Sequence, residues 1–240
     1  MAGTVVTDEP GRYGTFEGVF VPTLLTILGV ILYLRLGWVV GNAGMLGAVG
    51  IILLGYGITG ATGLSIASIA TNTPLAGGGA YAIISRSLGL EAGGAIGVPL
   101  YLSQTLAVAL YVVGFRGGWQ FVFPQHSPLL VDIGAFALLI GIASVSARFA
   151  FRVQYVILAM VLLSLVVIAL AALQGSMTMS PELSGDYPGA PDDGFQGTDF
   201  WGVFAVFFPA TTGIMAGVNM SGELRDSRRS VPLGTLWAIG

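Results

Sequence analysis

Residues 36–85 run without a single charged side chain, and so do 18–34, 92–115, 117–131, 133–147, 153–181 and 200–222. Apolar runs of this length constrain the chain more than any motif it contains. A helix needs about 20 such residues to cross a bilayer core of roughly 30 Å. Within that core every backbone amide must find its partner inside the segment, so these runs read as helices. A water-facing surface would need about 25% charged residues, and this chain has 9%. A soluble enzyme, a nucleic-acid binder and a disordered tail are excluded on that ground. With no cysteine there is no disulfide frame and no thiolate metal site.

The charges punctuate the spans. We place them near 19–40, 45–70, 92–117, 131–147, 153–174 and 200–223, with the start of a seventh at 231–240. The run 36–85 is too long for one helix. It holds the end of span one, a turn at Asn42–Gly44, all of span two and a polar stretch, which reads as a loop followed by a short helix at the interface. Residues 1–18 form a short cytoplasmic tail and 19–240 the transporter domain. The tail lacks the basic region, apolar run and small-residue cleavage site of a signal peptide.

Every cation in the chain is an arginine. A cytoplasmic N-terminus puts Arg12, Arg86, Arg148, Arg152, Arg225, Arg228 and Arg229 inside, and leaves Arg116 and Arg35 toward the outer side. That distribution satisfies the positive-inside rule and predicts a multi-pass protein of the cell membrane. The loop 182–199, with Glu182, Asp186, Asp192, Asp193 and Asp199, is then outside.

Spans one and six carry helix breakers at depth: Pro22 and Gly29 in the first, Pro209, Gly213 and Gly217 in the second. Taken singly, such residues read as close packing between helices, and GIMAG fits a small-residue contact. As a pair at positions one and six they match inverted five-helix repeats with a substrate site at the midplane. A broken helix presents carbonyls where its first half ends and amides where its second begins. Carbonyl ends suit a cation and amide ends an anion. No charged side chain lies deep in either break, so small ions could be held by backbone dipoles, hydroxyls and a phenol.

Four stretches are more specific: GVILYLRLGWVVGNAG (29–44), SIASIATNTPLAGGGAYAIISRSLGLEAGGAIG (65–97), ALYVVGF (109–115) and FFPATTGIMAGVNMSGELRDSRRSVPLGTL (207–236). Through them the sequence resembles the cation-chloride cotransporters of the amino acid–polyamine–organocation superfamily. The resemblance implies an all-α integral membrane protein with the LeuT-like inverted-repeat fold. Here that means the first five-helix repeat, broken helix six and the start of helix seven. It also implies electroneutral symport of potassium and chloride, sometimes with sodium, and no cofactor.

Carried over by position, potassium would meet the backbone of Thr26 and Ile27, the Tyr111 hydroxyl, the Pro209 carbonyl and the Thr212 side chain. Family members often have asparagine where this chain has Thr26. One chloride would lie against Gly29, Val30 and Ile31, and another against Gly213, Ile214 and Met215. The family's span-ten tyrosine and span-eight hydroxyls have no counterpart here, so sodium coupling cannot be read. Arg35 is the candidate outer gate.

Each of these has a plainer alternative. Tyr111 could be an aromatic at a helix interface, Thr212 a hydroxyl bonding back to its own helix, and Arg35 a side chain snorkelling to headgroups. His126 sits in a loop with no second metal ligand near it in sequence. GGG at 77–79 lacks the GK[ST] of a phosphate loop and reads as a tight inner turn.

The ten-helix fold implied is longer than this chain, and 231–240 would extend only about 15 Å as a helix. The expected partners are therefore the bilayer, small inorganic ions, and a C-terminal half or complementary chain, with a homodimer as a further expectation. No nucleic acid is expected. Two other functions remain open: an amino acid permease of the same superfamily, and a non-transporting partial or accessory subunit.

Overall fold

The computed structural model describes residues 13–72, 77–175, 182–190 and 194–240. Arg12, Asp192 and Asp193, and part of the polar stretch after span two, lie outside the described residues. The described residues are mostly helical, and among them five segments are long and apolar enough to cross a membrane. These are Phe16–Asn72, Leu90–Val122, Pro128–Val145, Phe149–Leu173 and Phe200–Glu223.

The first of these has 57 residues and would reach about 85 Å as one straight helix. Its dihedral angles show two interruptions. It opens with a π turn, Phe16–Phe20, which leads into helix α1, Val21–Ile27. Pro22 accounts for the π turn. It has no N–H, and its ring crowds the carbonyl four residues back, so the hydrogen bonds shift to a wider spacing. At Leu28 (φ −78°, ψ 34°) the helix stops.

Helical geometry resumes over Val30–Asn72 and is interrupted at Gly44 (φ 68°, ψ 179°), giving helices α2 (30–43) and α3 (45–72). Glycine adopts that φ without the steric cost a Cβ would bring. A Cβ there would also lie 2.8 Å from Ser184 Cα. The turn expected at Asn42–Gly44 is thus made by Gly44, beneath a docked loop.

Three consecutive glycines of positive φ, Gly77, Gly78 and Gly79, lead into the short helix α4, Gly79–Leu88. A Cβ on Gly79 would sit 2.9 Å from Asn219 Cα, so this turn packs against the span-six region. Three long helices follow: α5 (Leu90–Val122), α6 (Pro128–Val145) and α7 (Ala147–Leu173). Helix α7 starts at Ala147, with Ser146 as its N-cap accepting from the Phe149 amide. Arg152 therefore lies on the helix, just before the expected start of the span near 153.

The loop after α7 contains a two-residue antiparallel ladder, β1 (Gly189–Ala190) with β2 (Phe195–Gln196). Asp199 then caps helix α8, Phe200–Phe207, by accepting from the Gly202 amide. Span six breaks after a 3-10 turn at Phe208–Thr211 and resumes as α9, Met215–Asn219. Helix α10, Ser227–Ile239, packs along α3.

Two buried clusters flank the breaks. One joins Val39 and Ala43 of α2, Ala48 and Ile51 of α3, Val203 and Phe207 of α8, and Ala210. The other joins Val19, Ile27, Ile66, Ile83, Val218 and Val231, among others. The second half of span one thus packs with the first half of span six, and the reverse holds in the other cluster. The two spans run antiparallel with their breaks side by side.

At the Tyr13 end the chain is pinned to the residues after span six. The Tyr13 amide donates to the Glu223 carbonyl (3.1 Å), and the Arg225 amide donates to the Tyr13 carbonyl (3.0 Å). The Tyr13 ring lies 4.3 Å from that of Phe151.

Helices α5, α6 and α7 by contrast bury little: Phe121 is 91% exposed and Leu173 85%. Such contiguous apolar surface belongs in a bilayer or against another apolar surface.

Candidate functional site

The breaks leave backbone groups without helical partners. At the end of α1 these are carbonyls, and at the start of α2 they are amides. Among the described residues, the bonds across the first break run from the Leu28 amide to the Leu24 carbonyl (2.8 Å) and from the Leu32 amide to the Gly29 carbonyl (3.1 Å). The Thr26 and Ile27 carbonyls, and the amides of Gly29, Val30 and Ile31, take no part in these. Across the second break the Thr212 amide donates to Pro209 (3.3 Å) and the Ala216 amide to Gly213 (3.0 Å). Thr212 is extended (φ −85°, ψ −177°) and Gly213 has φ 98°. That pair of dihedral angles turns the chain out of the helix.

Between the breaks lies a cavity of about 20 Å³, lined by Thr26, Ile27, Gly29, Tyr111, Pro209 and Thr212, with Ile31, Leu32 and Ala210 completing the wall. The five residues expected around a cation are thus brought together from α1, α5 and the 3-10 turn of span six. A space of that size admits one particle about as large as a water molecule.

The hydroxyl of Thr212 donates to the Pro209 carbonyl (2.7 Å), and that of Thr26 donates to the Pro22 carbonyl (2.7 Å). For Thr212 the plainer reading, a hydroxyl bonding back to its own helix, is what the geometry has, and Thr26 does the same. It does not remove them from a cation site. A hydroxyl that has given its proton keeps two lone pairs, whereas the Pro209 carbonyl already accepts from both the Thr212 amide and the Thr212 hydroxyl. Among the described residues the Tyr111 hydroxyl makes no hydrogen bond.

The residues expected around anions are placed less uniformly. Gly29 and Ile31 line the cavity, while the Val30 side chain packs against Gly114. Gly213, Ile214 and Met215 do not line it, and the Ile214 side chain is buried in the core cluster. Arg35 is exposed on α2, and no carboxylate among the described residues pairs with it. An ion pair links Arg116 of α5 to Asp132 of α6 at 2.7 Å. His126 accepts at Nδ1 from the Trp119 indole N–H (3.0 Å) and is an aromatic neighbour in the α5–α6 corner.

Tyr111 also faces a second cavity, of about 890 Å³, between α5 and α6. Its walls are mostly apolar, including Phe115, Leu130, Val131 and Leu138. It offers no ring of oxygen ligands and is not an ion site.

Two threonines that the sequence did not single out also meet the second break. The Thr59 hydroxyl of α3 donates to the Thr211 carbonyl (2.9 Å), and the Thr23 hydroxyl of α1 accepts from the Gly217 amide (3.2 Å). No signal marked them, because a hydroxyl in an apolar helix ordinarily bonds within its own helix.

Antiparallel broken helices thus flank an ion-sized cavity, in a chain with helices long and apolar enough to cross a membrane. The chain belongs to the amino acid permease family, whose sequence profile matches residues 18–239. It is 39% identical to solute carrier family 12 member 2 of Mus musculus, an alignment that covers 100% of this chain and 21% of the relative. It is 37% identical to member 1 of Homo sapiens (97% and 23%) and 38% identical to member 3 of Mus musculus (96% and 25%). The chain spans about a fifth to a quarter of the length of these relatives. Solute carrier family 12 comprises the cation-chloride cotransporters to which the motifs pointed. The relatives are membrane transporters, not enzymes.

Proposed function

We propose that this chain forms the ion-binding half of a potassium–chloride symporter working by alternating access around the two helix breaks. Potassium is held by the Thr26 and Ile27 carbonyls, the Tyr111 hydroxyl, the Pro209 carbonyl and the Thr212 hydroxyl. Chloride meets the amides of Gly29, Val30 and Ile31 beside it, and a second chloride the amides of Gly213, Ile214 and Met215. Residues 1–18 and the GGG turn lie on the cytoplasmic side, and Arg35 faces the outer vestibule as a gate. The remaining inverted repeat comes from further sequence or a second chain, and sodium coupling depends on that half.

The observation that carries the proposal is the cavity of about 20 Å³ bounded by those five residues. It suits a bare alkali cation. The profile match to amino acid permeases supports a second reading, in which the amide ends take a substrate carboxylate. That reading needs room for an amino group and side chain, and ordinary small-molecule pockets run to about 300 Å³ or more.

Rubidium uptake into cells expressing the protein, with chloride or gluconate as the anion, tests the proposal. Chloride-dependent uptake insensitive to amino acids is expected. Uptake of labelled amino acid that rubidium does not affect would instead establish the permease. Absence of both, with a complementary chain co-purifying, would point to an accessory subunit.

A further inference from the structure

The break in span six is held at both ends by buried hydroxyls from other helices. On one side is Thr59 of α3, 5% exposed, whose hydroxyl donates to the Thr211 carbonyl at 2.9 Å. On the other is Thr23 of α1, 0% exposed, whose hydroxyl accepts from the Gly217 amide at 3.2 Å. Residues 212–216 lie between these two bonds, and they include every span-six residue of the proposed sites beyond Pro209.

The choice of partners has a consequence for which groups stay open. A broken helix frees several carbonyls and several amides at once. Each is costly to leave unpaired away from water. Thr59 takes the carbonyl of Thr211, while that of Pro209 accepts from the Thr212 amide and hydroxyl. Thr23 takes the amide of Gly217 and leaves those of Gly213, Ile214 and Met215. The two hydroxyls therefore pair one carbonyl and one amide of the break, and they fix the path of the chain between them.

The close packing around both bonds shows that the arrangement is built in. A Cβ on Gly55, one turn before Thr59, would lie 2.9 Å from Thr211 Cγ2. A Cβ on Gly217 would lie 2.7 Å from Thr23 Oγ1. Glycine at both places lets the broken segment approach α1 and α3 near enough for the hydroxyls to reach.

We infer that Thr23 and Thr59 are positioning residues that set ion affinity by holding the span-six break open, without touching an ion themselves. The inference rests on the ion-site reading above. Valine replaces the hydroxyl at nearly constant volume, and serine retains it. Thr59→Val and Thr23→Val are each expected to raise the half-saturating rubidium or chloride concentration about ten-fold, the scale of one lost buried hydrogen bond. The maximal rate per transporter at the surface should change far less, and Thr59→Ser and Thr23→Ser should transport close to wild type.

Valine variants that saturate as wild type does, or serine variants as impaired as valine, overturn the inference. Where a valine variant does not reach the membrane, cysteine takes its place, a weak donor at 59 and a weak acceptor at 23. An intermediate shift is then expected, and wild-type saturation counts against the inference. If the wild-type protein carries no rubidium, the ion reading falls and amide exchange over 208–219 in purified protein decides. Faster exchange in the variants supports the two hydroxyls as supports of the break, and unchanged exchange overturns them.

Discussion

Gly213, at φ 98°, turns directly against Thr26: a Cβ at position 213 would lie 3.0 Å from Thr26 Cβ and overlap its methyl group. This contact is where the two breaks meet. Alanine at 213 faces a left-handed backbone, costing about 1–2 kcal/mol, and an overlap costing about 1–3 kcal/mol. Gly213→Ala is expected to push the breaks apart. Rubidium uptake normalised to surface protein should fall to background while the protein still inserts. Uptake above half of wild type would show that the crossing tolerates separation.

Tyr111 presents the one side chain of the cavity wall that comes from neither broken span. Its hydroxyl has no protein partner among the described residues, so removing it leaves no protein group orphaned. Tyr111→Phe should shift thermal stability by less than about 0.5 kcal/mol. A hydroxyl bonded to a charged group contributes about 1.5–3 kcal/mol, so the half-saturating rubidium concentration should rise at least ten-fold. An unchanged rubidium curve would remove Tyr111 from the ligand set.

Proline and glycine made the two breaks legible in the sequence, because their effects on a helix are local and need no knowledge of neighbours. The turn at Gly44 and the short helix after GGG were legible for the same reason. The start of α7 was not. A span bounded by the last charge starts at 153, yet the helix begins at Ala147 and carries Arg152. Nor were Thr23, Thr59 or the pinning of Tyr13 to residues 223–225 legible. These contacts join residues far apart in sequence and obey no periodicity. Composition says that a hydroxyl is present, and only the fold says which helix it serves.

Arg116 and Asp132 tie α5 to α6 at 2.7 Å, with side chains 30% and 24% exposed. Neither is fully in water nor fully removed from it, and one charge balances the other. Measured as a double-mutant cycle with Arg116→Gln and Asp132→Asn, the pair should show a coupling of about 1 kcal/mol in thermal stability. Each single variant leaves one uncompensated charge and should be less stable than the double. A coupling indistinguishable from zero would reduce the pair to a surface contact.

Asn42 joins helix α2 to the segment 182–190, which the sequence keeps far apart. Its side-chain amide donates to the Trp38 carbonyl (2.9 Å), its side-chain oxygen accepts from the Gly189 amide (2.7 Å), and its carbonyl accepts from the Tyr187 amide (3.1 Å). It is buried. Beside it the Met45 and Leu46 amides donate to the carbonyls of Glu182 (2.8 Å) and Leu183 (3.1 Å). The segment 182–190 is therefore fastened over the Gly44 turn by backbone bonds, and Asn42 adds a side-chain hydrogen bond to the Gly189 amide. Asn42→Leu keeps the volume, loses both side-chain bonds and strands the Gly189 amide. The cost should be about 1–3 kcal/mol for the stranded group, read as a lower unfolding temperature. Cleavage by added protease within 182–190 should quicken, whereas the helices of the α5–α7 group should resist as before. Asn42→Asp preserves the acceptor for Gly189 and loses the donor to Trp38, so it should retain more loop protection than leucine. Equal protease sensitivity in wild type and Asn42→Leu would mean that the backbone bonds alone hold the loop, and that Asn42 is there for its fit.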